Sequence, residues 1–129
     1  MGIIKEGECV KKVAILLILL LTTPVLALDK WDKTDIALES IVLSLQLIDW
    51  RQTIHISDNP TYLYEKNPLL SRHPSNREVN LIFAAAAITQ ITVAHILPSK
   101  WRKIWLSLWC VEHGYNVGNN LNVGIGIGW

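Results

Sequence analysis

Charge is what this sequence has least of. Only 18% of its 129 residues are Asp, Glu, Lys or Arg, against about 25% in an ordinary soluble domain. The 12 basic side chains nearly cancel the 11 acidic ones, which excludes the basic footprint of a nucleic-acid-binding surface. Cysteine is scarce too. Cys9 and Cys110 stand alone, with no C-x-x-C or Cys/His spacing and no lipobox, so a disulfide framework and a structural zinc site are both excluded. Catalytic signatures are missing as well. There is no H-E-x-x-H and no serine elbow. The Gly124-Ile125-Gly126-Ile127-Gly128 run has no helix after it to make a phosphate loop. No cofactor is implied.

What is abundant is apolar surface. Half of the chain is hydrophobic and the mean hydropathy is +0.28, which excludes disorder and points to a membrane or envelope protein. The length suits one domain.

The first apolar run has the layout of an export signal. Lys11-Lys12 precede the nine apolar residues Val13 to Leu21, Thr22-Thr23-Pro24 breaks the run, and Val25-Leu26-Ala27 offers an A-x-A-like site. The run is short of the roughly 20 residues needed to span a bilayer, so residues 1–27 are expected to be a Sec-type signal peptide cleaved after Ala27. Glu6 and Glu8 fit such a region poorly, and translation is expected to begin at Val10 on a GTG codon, which the coding DNA decides. Lys5, Lys11, Lys12, Glu6 and Glu8 would leave with the leader, so 12 basic and 11 acidic residues become nine of each.

Three helical segments follow, giving an all-α fold: a small antiparallel three-helix membrane bundle over residues 28–119, with a Gly-rich tail over 120–129. The first helix is expected over 34–54, started by Asp32 or Thr34. Its polar residues Glu39, Gln46, Asp49 and Thr53 share one face, and the rest of the circumference is apolar. A polar connection with Pro60, Pro68 and Pro74 leads to Ser75-x-x-Glu78, a capping-box spacing. Val79 to Leu97 then carries no formal charge over 19 residues and includes Ala84 to Ala87. It is the strongest transmembrane segment, with a smooth patch for a neighbouring helix. Pro98-Ser99 is expected to cap a third helix over 100–119, where Trp101, Trp105 and Trp109 recur every four residues and Glu112, Asn116 and Asn119 continue their stripe. Trp31, Trp50 and Trp101 fall near helix ends, where amphipathic rings prefer the lipid boundary.

Topology is not readable from charge. With residue 28 outside, Arg51, Lys66, Arg72 and Arg77 lie inside, and Lys30, Lys33, Lys100, Arg102 and Lys103 outside, so the positive-inside rule is balanced.

Short connections bring Asp49 and Thr53 to the depth of His113 and Asn116, with Glu65 and Asn67 in the loop leaving that end. Asp49, Thr53, Glu65, Asn67, Glu112, His113 and Asn116 therefore form the candidate polar cluster. Ionisable groups at membrane depth call for a functional account. The bland account is that they hydrogen-bond one another and staple the helices. The chemical one is a metal or hydrolytic site using His113, Asp49 and Glu65. At the other end His95 is expected to approach Arg102 and Glu39, with Glu39–Arg102 as a structural ion pair. His55 and His73 read as solvated.

Asp49-x-x-x-Thr53 followed by Glu65-Lys66-Asn67-Pro68-Leu69 resembles a pattern in small bacterial membrane proteins of no established activity. The resemblance covers residues 49–69 and implies no function, but it singles out Asp49, Thr53, Glu65 and Asn67. In the last residues, Leu121, Val123, Ile125, Ile127 and Trp129 alternate with Asn or Gly. This predicts an extended tail like the closing strand of an outer-membrane barrel, although the chain lacks the other alternating segments that a barrel needs.

The leading expectation is a small integral protein of the bacterial inner membrane with a structural or interaction role, in contact with lipid and with a membrane-protein partner or its own copies. An intramembrane metal-binding or hydrolytic protein is the second reading. A pore-former resembling phage holins in size and helix count is the third.

Overall fold

A computed structural model of the chain describes residues 29–127. The leader, the Val10 start, Cys9 and Trp129 lie outside the described residues. Three helices form, α1 (Lys33–Asp58), α2 (Asn76–Ile96) and α3 (Ser99–Asn122), and among the described residues there is no strand.

Local signals set most of the helix ends. Asp32 caps α1: its carboxylate accepts from the Asp35 amide at 2.9 Å, while the Asp35 carboxylate accepts from the Asp32 amide at 3.1 Å. This is a reciprocal capping box with aspartate in the third position. The Lys103 ammonium, 2.7 Å away, and the Asp35 amide hold the Asp32 carboxyl below its ordinary pKa. The helix runs one turn past the expected Ile54 to Asp58, because Asn59-Pro60 is the first real stop. At α2 the Ser75 hydroxyl accepts from the Glu78 amide at 3.1 Å. Glu78 takes the Ser71 amide at 2.7 Å and the Ser71 hydroxyl at 2.9 Å, so the carboxylate of the capping-box position also ties down the loop.

The start of α3 differs from expectation. Pro98 stands at its N-cap with no side-chain hydrogen bond. The Ser99 amide instead donates to the Asp29 carboxylate at 2.8 Å, so the cap comes from the far side of the bundle.

The tail is also corrected. Helix α3 continues through Asn122, the Gly124 amide donates to Leu121 O, and the Ile125 amide donates to Asn120 O at 2.9 Å. Gly124 has φ +88°, the left-handed conformation with which helices commonly close and which glycine adopts without strain. The chain thereby turns back and Ile125 is buried, whereas Leu121, Val123 and Ile127 are exposed. The period-two pattern does not make a face, because the helix absorbs its first half and the glycine turn its second.

Helix α1 packs against both of the others, while α2 and α3 lean on each other least. Asp35 meets Arg102, Asp49 meets His113 and Gln52 meets Asn120 along α1 and α3. On the other side Trp50 meets Asn80 and Glu39 meets Gln90.

The interior of this bundle holds many polar side chains, and its outside many large apolar ones. Asp35, Gln46, Asp49, Gln52 and Thr53 of α1, Gln90 of α2, and Arg102 and His113 of α3 are buried. Outside stand Ile36, Ile41, Leu43 and Leu47, then Leu81 and Ile88, then Trp101, Ile104, Leu108 and Val111. A water-soluble helix turns its apolar stripe inward and its charges outward. Among the exposed serines, Ser40 donates to Ile36 O at 2.8 Å and Ser44 to Ser40 O at 2.7 Å, which satisfies their hydroxyls within the helix. Two small apolar clusters cross the interior. Val42, Ala94 and Leu106 pack together toward the Arg102 end, and Leu70, Val79 and Phe83 close the end beneath the 59–75 connection.

Candidate functional site

At one end of the interior sits an ion pair. Arg102 Nη1 donates to Asp35 Oδ2 at 2.9 Å, with both side chains fully buried. Its Nε donates to Ala94 O, and its Nη2 to Asp29 O and Leu97 O. The guanidinium lies 4.9 Å from the Trp31 ring, on which His95 also stacks at 4.8 Å. The expected Glu39–Arg102 pair is thus replaced by Asp35–Arg102. Asp35 and Glu39 share a face one turn apart, and the offset between α1 and α3 puts Arg102 at the earlier one. Glu39 instead accepts from Gln90 Nε2 at 2.8 Å, while His55 and His73 are exposed as expected.

The candidate cluster is at the other end. Asp49 Oδ2 accepts from His113 Nδ1 at 2.9 Å and from Asn116 Nδ2 at 3.3 Å. Glu112 Oε1 accepts from the same Asn116 amide at 2.8 Å, and Glu112 Oε2 lies 3.3 Å from His113 Nδ1. Because an ionised carboxylate only accepts, the His113 proton facing Asp49 is on Nδ1. The opposite nitrogen, Nε2, is buried and has no hydrogen-bond partner.

All seven expected residues line two adjoining cavities that share Asp49, Asn67, Pro68 and Glu112. One, of about 560 Å³, is the more polar of the two and is reached by Thr53, Glu65 and Asn116. The other, of about 440 Å³, is walled by Phe83, Trp105, Leu108 and Trp109, and His113 opens on it.

Three members of the cluster have structural duties. The Thr53 hydroxyl donates to Asp49 O at 2.9 Å, along its own helix. Glu65 Oε1 accepts the Lys66 and Asn67 amides at 2.9 and 2.7 Å, and Asn67 Oδ1 accepts the Leu69 amide at 2.9 Å. The E-x-N-P-L stretch therefore builds its own turn from side chain to backbone, as Asx turns do.

This settles what the site can hold. Among the described residues no group of three or more His, Cys, Asp and Glu side chains is placed to take a metal ion. The set His113, Asp49 and Glu65 is not assembled as one, since Glu65 is spent on the loop. Among the described residues lining the cavity beside His113 there is no serine, threonine or cysteine to act as a nucleophile.

Three further residues belong to this end. Gln52 donates to Ile125 O at 3.2 Å and accepts from Asn120 Nδ2 at 3.2 Å. Its place on the Asp49 stripe, three residues on, was a readable signal. Trp109, 5.3 Å from His113 between ring centroids, lies on the stripe that Glu112 and Asn116 continue, whereas Phe83, at 6.4 Å, gave no signal, because it reaches the site from another helix.

Asp49→Asn should test the pair. It keeps the shape but replaces a charge-assisted bond with a neutral one, so about 1–2 kcal/mol should be lost. The check is thermal unfolding in detergent followed by circular dichroism; an unchanged midpoint would show that His113 is held by packing alone. No protein-family model matches the chain, and no curated protein or solved structure matches it either.

Proposed function

We propose that this chain is a small integral protein of the bacterial inner membrane, an antiparallel three-helix bundle delivered by a Sec-type signal, with a structural or interaction role in the envelope. The observation that supports the reading is a partly polar interior under an apolar outside: polar side chains pair between the helices while large apolar ones face out on all three. In lipid this is the favourable arrangement, since ionisable groups in a bilayer turn to the bundle interior and pair there. Helix α2 is long and apolar enough to cross a membrane, and its 21 residues reach about 32 Å at 1.5 Å per residue, close to a hydrocarbon core. On α1 the outward apolar band ends at Trp50, after which Arg51, His55 and Asp58 suit the aqueous side.

An interaction role is favoured over a pore or an enzyme by the same geometry. Val42, Ala94 and Leu106, each 0% exposed, pack together inside the bundle beside the Arg102 end, so apolar side chains interrupt the polar interior there. The Asp49–His113–Asn116 cluster acts as the staple that fixes α1 on α3.

Washing membranes with alkaline carbonate should leave the chain in the pellet until detergent is added; release by carbonate would overturn the membrane reading. A photo-crosslinker at Val111, which faces out, should yield a discrete protein adduct in cells, and lipid adducts alone would overturn the interaction role.

A further inference from the structure

The connection from α1 to α2 lies at the end of the bundle away from Arg102. We propose that this connection binds the phosphate of an anionic phospholipid headgroup, with Lys66 and Arg72 as its cationic contacts beside the Tyr64 ring.

The first ground is how charge is divided there. The carboxylates are spent on neutral donors. Asp58 Oδ1 accepts from Asn76 Nδ2 at 2.8 Å, Glu65 takes the Lys66 and Asn67 amides, and Glu78 takes the Ser71 amide and hydroxyl. The cations are left over. Lys66, Arg72 and Arg77 are exposed, and among the described residues none of the three has a carboxylate partner. Glu65 and Glu78 are half-buried, so the exposed charge of this stretch is mainly positive. At a membrane boundary such cations are drawn to the anionic lipids of the leaflet.

The second ground is convergence. The Arg72 guanidinium lies 4.7 Å from the centre of the Tyr64 ring, and the Lys66 ammonium 6.0 Å from the same centre. Two cations from the two ends of the loop are thereby gathered around one ring. The ring attracts them through its face without neutralising them. A phosphate diester offers oxygens that can take a charge-assisted hydrogen bond from each. Backbone bonds set the arrangement: the Glu65 amide donates to Arg72 O at 2.9 Å, and Glu78 holds Ser71 against the first turn of α2. Replacing the two cationic side chains therefore leaves the loop itself in place.

The third ground is the apolar company of these cations. Tyr62 is 87% exposed and Leu69 70% exposed on the same loop. Tyrosine settles at the lipid–water boundary, and an apolar side chain next to basic ones adds burial in the headgroup layer to the electrostatic attraction. A soluble phosphate ester uses the cations alone, whereas a lipid uses both.

The inference rests on the membrane reading, which sets this connection at the headgroup layer. The test titrates the full chain, in micelles of a neutral detergent, with dioleoyl phosphatidylglycerol and with dioleoyl phosphatidylcholine, and reads lipid adducts by native mass spectrometry. Phosphatidylglycerol should bind with a dissociation constant roughly tenfold lower, a ratio that corresponds to about 1.4 kcal/mol. Lys66→Gln with Arg72→Gln should bring the two lipids to near-equal affinity. Lys30→Gln with Lys100→Gln removes two exposed cations from the opposite end and should keep the preference. Equal affinities in the unmodified protein would overturn the proposal, and so would a preference that survives in the Lys66 and Arg72 variant. Displacement of the lipid by an equal concentration of glycerol phosphate or of an acidic peptide would overturn it too. If the Lys66 and Arg72 variant loses its helical circular dichroism, the ratio in the unmodified protein still decides. A preserved ratio in a chain that carbonate releases from membranes would keep the lipid site and remove the integral reading. Equal affinities in a chain that stays in the pellet would do the reverse.

Discussion

Arg102→Ala should cost about 3–5 kcal/mol and unfasten one end of the bundle, the loss expected when one partner of a buried ion pair is removed. Three chain ends converge on this guanidinium: the approach to α1 through Asp29 O, the end of α2 through Ala94 O and Leu97 O, and α1 itself through Asp35. Truncation leaves the Asp35 carboxylate in an interior where its Oδ1 accepts no hydrogen bond and has the Lys103 ammonium only at 3.5 Å. It also leaves three carbonyls short of a donor. Arg102→Lys should rescue little, because one ammonium cannot reproduce a planar fork aimed at four acceptors. The double change Asp35→Leu with Arg102→Met should recover most of the loss, since it removes both charges together. Thermal unfolding by circular dichroism in detergent, with limited proteolysis at the 97–99 turn, measures all three. A single Arg102→Ala variant as stable as the parent would show the pair to be incidental.

Ile88→Arg should be the most damaging change on the outside of the molecule. Ile88 is 67% exposed near the middle of α2. In water a substitution there stays within about 0.5 kcal/mol of neutral. At the centre of a spanning helix the same change exchanges a favourable apolar residue for an arginine costing about 2.5–3.5 kcal/mol. The expected result is loss of the chain from the membrane fraction, together with rapid degradation. Ile88→Leu should leave the amount unchanged. Normal membrane levels of Ile88→Arg would mean that α2 does not have lipid at that depth. The opposite change gives a matching control: Gln46→Leu, at an inward position where the side-chain amide nitrogen has no partner, should be tolerated.

The two substitutions separate what each kind of residue reports. Hydrophobic length and periodicity were readable directly. The Val79–Leu97 run became α2 within a few residues, and the stripe of Gln46, Asp49 and Thr53 is buried, with Glu39 half-buried beside it. That the stripe faces inward follows from its narrowness, since a helix apolar around most of its circumference can be covered by lipid but not by water. The candidate cluster was legible for a similar reason: short connections fix which helix ends are neighbours, and Asp49, His113 and Asn116 lie at matching depths. The duties of Thr53, Glu65 and Asn67 were less legible. Their side chains go to nearby backbone, a competition that short polar residues enter wherever a turn offers an amide.

Sequence by itself determined the three helices, the cap at Ser75 and the polar stripe, narrowed the first cap to Asp32 or Thr34, and fell one turn short of the stop at Asn59-Pro60. Each of these depends on residues within one or two turns of each other. Tertiary structure decided that Arg102 takes Asp35 rather than Glu39, that Asp29 caps α3, that the tail folds back onto Gln52, and that His113 keeps one nitrogen unpartnered beside Trp109. These are set by the offset between helices. A shift of one turn, about 5.4 Å, exchanges one partner for the next on the same face, and side-chain packing, which local pattern does not encode, selects between them.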